Sequence, residues 1–245
     1  RWNDYGIGLL RQGEDSGNSK GGLRQAEAVF KQVAAIRPEQ GYLNLARVYF
    51  QEGRLDEASH VLEKAQQANA LPWTVDWFAA LIERENGQLD FAIQRLNKII
   101  ASDYSEAELR GFDFSYDIRV LNNLGRIYLE KSRYERRDKI KKQDYLSQAE
   151  YWFKRVLQID VEDLSAHYNL ALVYAAAGQP GLAATHRELH EMYRPDDNAV
   201  AQAVSLHRRQ NAAADHAASA IAIYPLHPVA ETANIDTHVS ASTHE

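Results

Sequence analysis

The 245-residue sequence predicts an all-α chain of stacked helix–turn–helix units, and three features lead there. Apolar residues recur three and four positions apart, as in Tyr42, Leu45, Ala46 and Tyr49, which places them on one helix face. The spacing then returns, because Glu39–Pro72 and Trp73–Glu106 are 34-residue units with matching apolar positions. Glycines such as Gly53, Gly87 and Gly178 fall between the apolar runs, where a helix must stop for the chain to turn.

Taken in order, the first unit spans about 2–38, with Trp2, Tyr5, Gly6 and Leu9 on its first helix and Ala26 and Phe30 on its second. Trp2 is expected in a core slot, and the polar, glycine-rich stretch Glu14–Gly22 is expected to be a loop. The second unit, 39–72, adds Ala58, Leu62 and Ala65, with Asp56 and Glu57 in the first turn of its second helix, where the helix dipole favours carboxylates. The third, 73–106, repeats these positions with Ala79, Ala80, Ala92, Leu96 and Ile99. Ala107–Asp117 is a connector whose Phe112, Phe114 and Tyr116 either pack across helix ends or form a recognition loop. The fourth unit, 118–163, carries Leu121, Leu124, Gly125 and Tyr128, then Ala149, Phe153 and Val156. Its turn is lengthened by Lys131–Gln143, whose seven lysines and arginines read either as a solvated helix extension or as a docking site for an acidic partner. The fifth, 164–197, has Leu170, Ala171, Tyr174 and Ala183, closes at Pro195, and places Arg187 where a large apolar residue is usual. Asp197 is expected to cap a further helix, about 199–210, that covers the open end. Residues 1–211 then form one domain and 212–245 an extended segment, with Ala220–Tyr224 alternating as an extended stretch does. Such a segment is ordered only by packing on this chain or on a second copy, so self-association through it is one expectation.

These residues resemble the tetratricopeptide repeat, whose pattern runs W-x2-L-G-x2-Y, A-x3-F, P. The resemblance covers about 2–195 and implies a right-handed superhelix of about five helix pairs whose first helices line a concave face. Gly6, Ala46, Ala80, Gly125 and Ala171 are the small residues that let paired helices approach, and a larger side chain there would cost about 1–3 kcal/mol. The implied groove is lined by Asn3, Ile7, Leu10, Leu43, Arg47, Phe50, Trp77, Leu81, Arg84, Asn122, Arg126, Leu129, Tyr168 and Leu172. Arg47, Arg84 and Arg126 recur among apolar neighbours, and they either fork to carboxylates of a partner peptide or merely solubilise the face. Asn44 fits one place of the family's chaperone-tail clamp, but Ile7, Thr74 and Phe78 depart from it, so that clamp is not expected.

Chemistry finds little support. Zero cysteine excludes disulfides and thiolate metal sites within this chain, and a net charge of −6 argues against nucleic acid. No long apolar run spans a membrane. No G-x-S-x-G or phosphate-binding glycine loop occurs, so no catalytic residue and no enzyme activity are expected. His186 and His190 share a helix face but lack a third ligand, and read as surface histidines with no metal and no cofactor.

A closer resemblance is to the repeat region of some bacterial multihaem c-type cytochromes. It is carried by GFDFSYDIRVLNNLGRIYLE (Gly111–Glu130), QIDVEDLSAHYNLALVY (Gln158–Tyr174), HEMYRPDDNAVAQAV and NAAADHAASAIAIYPL, and by the opening WNDYGIGLL. That likeness implies a haem-bearing domain or chain as partner and a periplasmic or extracellular place, with a cytoplasmic one still open. No C-x-x-C-H is present, so no haem role falls on any residue here. The start at Arg1-Trp2, with no methionine or signal segment, is what a piece of a longer or processed product would show. A protein-binding scaffold is therefore the expectation, with an electron-transfer interaction module as its alternative.

Overall fold

A computed structural model describes residues 1–15, 20–195 and 197–211. Among them every regular element is helical, and no helix is long and apolar enough to cross a membrane. α1 (Trp2–Asp15) packs on α2 (Lys20–Ile36), α3 (Pro38–Gln51) on α4 (Leu55–Gln67), and α5 (Pro72–Glu85) on α6 (Leu89–Ala101). After a connector come α8 (Ile118–Tyr134) on α9 (Lys139–Ile159) and α10 (Leu164–Ala176) on α11 (Pro180–Tyr193). The second helix of one pair packs on the first helix of the next, so the pairs stack as a solenoid. α12 (Asp197–Gln210) follows.

Local chemistry explains the boundaries. Gly53, Gly87 and Gly178 adopt φ near +70°, and a six-residue hydrogen bond closes each turn, from Arg54 N to Tyr49 O, Gln88 N to Glu83 O, and Gln179 N to Tyr174 O. Any residue with a Cβ would be strained at those dihedrals. Pro38, Pro72 and Pro180 begin helices, where the missing N–H costs nothing. Pro38 and Pro72, expected to close their units, therefore open the next ones. Asp117, Asp138 and Asp163 cap α8, α9 and α10 through backbone N–H groups.

The core divides into three contiguous groups along the solenoid. The first gathers Leu9, Phe30, Leu45 and Leu62, the second Leu96, Leu124 and Ile127, and the third Leu121, Phe153 and Leu170. Two of the predicted close approaches, at Gly6 and Gly125, are seen directly. A Cβ built on Gly6 would lie 2.7 Å from the Phe30 ring, and one on Gly125 would lie 2.6 Å from the Phe153 ring. Polar stitches join neighbouring pairs at equivalent positions. Tyr49 Oη donates to Glu27 at 3.1 Å and Tyr174 Oη donates to Glu150 at 3.0 Å, while Lys31 and Lys154 pair with the same carboxylates.

Several expectations are corrected. Trp2, the first residue of α1, is 42% exposed rather than in a core slot. Glu14, Asp15 and Lys20–Gly22 are helical, not loop, since α1 and α2 extend into the insertion. The basic stretch Lys131–Gln143 is a helix extension, one of its two readings: it lengthens both α8 and α9 and leaves only 135–138 as turn. The connector holds a short helix α7 (Ser105–Glu108) and a 3-10 turn (Phe114–Tyr116). In it, Phe114 packs 5.8 Å from both Trp73 and Tyr104, while Phe112 and Tyr116 are exposed. Asp197 is the first residue of α12 rather than its cap. The side chains of α12 that are described are exposed, Val204 and Leu206 included, so they supply no cover over α11. The expected extended segment 212–245, its Ala220–Tyr224 stretch and the cap position 196 lie outside the described residues.

Candidate functional site

The first helices α5, α8 and α10 together wall a cavity of about 410 Å³. Arg84 comes from α5, Tyr168 and Leu172 from α10, and Arg126, Leu129, Glu130, Arg133 and Tyr134 from α8. The α8 residues sit at i, i+3, i+4, i+7 and i+8, so one stripe of that helix forms the long wall. Leu129 is buried and makes the floor, while Tyr134 and Tyr168 are 69% and 53% exposed at the rim.

The charges are unequally satisfied. Arg84 Nε donates to Glu130 Oε2 at 3.1 Å, and its Nη1 lies 3.8 Å from Glu85 Oε1. Tyr134 Oη donates weakly to the other Glu130 oxygen at 3.4 Å. Arg126 and Arg133 make no ion pair among the described residues. Three arginines thus face one carboxylate in the cavity, and the excess is positive. Crowding by protein atoms and the Arg84 cation hold the Arg126 guanidinium below the usual arginine range. An anion beside it would offset both effects.

A second cavity, of about 190 Å³, lies between α4, α5 and α6. Of its charged residues, Glu83 and Arg95 pair with each other, and Arg95 also reaches the neighbouring Asp76. Arg95 bonds Glu83 at 3.2 Å and the buried Asp76 at 2.9 Å, and Lys98 completes Asp76 at 2.7 Å. Burial raises the Glu83 carboxyl against the pull of Arg95, and the network reads as internal structure.

Of the residues expected in the groove, Arg84, Arg126, Leu129, Tyr168 and Leu172 do meet in one cavity. Arg47 does not join them, and its guanidinium lies 5.8 Å from the Phe78 ring centre. Asn3 accepts a hydrogen bond from the buried Asn44, and the buried Asn122 donates to Asp163 at 3.2 Å, so both expected groove residues bond to neighbouring units. Leu10 is fully buried in the first core group, against which Ile7, Leu43 and Phe50 pack half-buried. Trp77 leans on the second group, and Leu81 is half-buried. Arg133 and Tyr134 were missed because they lie in the basic stretch read as a lengthened turn. Their signal was the helical spacing from Arg126, one turn further on. His186 and His190 are corrected too. His186 Nδ1 lies 2.9 Å from Nδ1 of the buried His167, and His190 Nδ1 lies 3.1 Å from Leu164 O. No third ligand joins them among the described residues.

Residues 19–72 match the tetratricopeptide repeat family. Comparison with curated proteins finds no match. Three solved structures illustrate the likeness of fold. The chain is similar to YrrB, described as a TPR protein with an unusual peptide-binding site, at 17% identity over 86% of this chain and 91% of that one, with a TM-score of 0.52. It is similar to MamA AMB-1 at 20% identity over 78% and 96%, with a TM-score of 0.55. It is also similar to a monomeric mutant of IFIT1 with Gppp-AAAA, at 19% identity over 80% of this chain and 42% of that one, with a TM-score of 0.61. The chain thus has a helical-solenoid fold like that of tetratricopeptide-repeat proteins.

Proposed function

We propose that this chain is a protein-binding scaffold that holds a segment of a partner along the face made by its first helices. The observation that carries it is the cavity between α5, α8 and α10, which joins three stacked units into one concave, half-apolar surface with exposed tyrosines at its rim. Tyrosine offers contact area with little entropy to lose, which suits recognition better than core packing. The peptide-binding site named for YrrB, a protein of the same fold, agrees with this reading.

The test is selection of binders from a random 12-residue peptide library, followed by hydrogen exchange of the complex. Slowed exchange on α5, α8 and α10 is the expected footprint. A footprint confined to α6, α9 and α11 would move the site to the opposite face. The cytochrome-linked alternative rests on the sequence words from Gly111 to Leu226. It is tested by asking whether the purified native protein carries absorption near the haem Soret band. Self-association through 212–245 is tested by light scattering of the chain with and without that segment.

A further inference from the structure

Resting on that reading, we propose that the α5–α8–α10 cavity selects an acidic peptide, whose carboxylates are taken by Arg126 and Arg133. Both residues are exposed as a whole on the cavity wall, with protein atoms crowding the Arg126 guanidinium, and neither has an ion-pair partner among the described residues. Arg84 is different, because Glu130 and Glu85 already engage it. It holds Glu130 in an ion pair, which leaves the other two arginines of the wall without one. The division of labour is therefore one arginine for structure and two for the ligand.

Spacing narrows the ligand further. Arg126 and Arg133 are seven residues apart on one helix, about 10.5 Å along its axis at about 1.5 Å per residue. A peptide in the polyproline II conformation covers that length in about three residues, at about 3.1 Å each, and brings every third side chain back to the same face. Two acidic side chains at i and i+3 would then each meet one fork. Tyr134 and Tyr168, at the rim, supply flat faces for the residues between. A basic peptide would meet the surplus positive charge of this wall and be rejected.

The same random 12-residue library decides the matter, panned in parallel on the native full chain and on its Arg126→Glu/Arg133→Glu variant. Circular dichroism and thermal unfolding verify that the variant is folded, and Arg126→Lys/Arg133→Lys serves as the charge-conserving control. The expected result is an excess of Asp and Glu, with a preferred i, i+3 spacing, among peptides bound by the native chain. Their affinity should fall at least about tenfold in the reversed variant and only a few-fold in the lysine variant. Binders without an acidic excess, but with the first-helix footprint, would overturn this inference and leave the scaffold reading intact. Acidic binders that the reversed variant holds equally well would also overturn it. Failure to recover any binder would overturn both.

Discussion

Gly125 shows how much one residue decides. It lies inside α8, where glycine costs helix stability, yet a Cβ there would sit 2.6 Å from the Phe153 ring. Gly125→Ala is therefore expected to destabilise the chain by about 1–3 kcal/mol through overpacking. Gly181→Ala, in α11 with open space around it, should be neutral or slightly stabilising. Urea titration of both variants makes the comparison, and equal midpoints would refute the account. Glu27 illustrates charge at the same scale. Burial pushes its carboxyl up, but hydrogen bonds from Lys31, Arg54 and Tyr49 outweigh that and bring it down to about 2. A carboxylate depressed in the folded state adds stability above its unfolded value near 4.5, and loses it as pH falls from there towards about 2. Glu27→Gln should cost about 1–3 kcal/mol at neutral pH and flatten the acid limb of a stability–pH curve. An unchanged acid limb would assign the stitch no weight.

At the scale of elements, α10 and α11 are joined by a polar contact unlike those elsewhere in the stack. His167 Nε2 lies 2.9 Å from Val161 O, which makes that nitrogen the donor and leaves Nδ1 to accept from His186. Burial, and next the neighbouring His167, push the His186 imidazole down from its ordinary 6.5. Lys154 acts in the same direction and Glu150 opposes it. A histidine depressed by folding binds its proton more readily when unfolded, so stability is lost as pH drops below about 6.5. Hydrogen-exchange protection, taken relative to intrinsic rates, should therefore fall in α10 and α11 between about pH 7 and 5, more than in α3 and α4. His186→Leu should remove that difference, and a variant retaining it would point to another group. α8 carries the second lesson at this scale. Its last turn, added by the basic stretch, brings Arg133 and Tyr134 onto the cavity wall. A standard-length helix would have ended before them.

For the whole molecule, stacking rather than any single pair supplies the core, because each of the three apolar groups draws residues from more than one unit. Protection from hydrogen exchange should be highest around Leu62, Leu96 and Leu124, whose helices have neighbours on both sides. It should be lowest in α12, whose described side chains are exposed. Uniform protection would contradict the nearest-neighbour picture. The five helix pairs, the turns at Gly53, Gly87 and Gly178 and the close approaches at Gly6 and Gly125 were legible in the sequence, because each follows from a period, a breaker or a small residue within one or two units. The outcome at the site was legible only in part. Arg84, Arg126 and Tyr168 could be placed on one face by periodicity. That Arg84 is paired with Glu130, that Asn122 turns to Asp163, and that His167 is buried against His186 could not. Those pairings link residues 19 to 46 positions apart, and their geometry depends on how much each unit rotates on the next. One chain's periodicity determines which face a residue occupies. Only the stacked structure decides which charges are consumed within the fold and which remain for a partner.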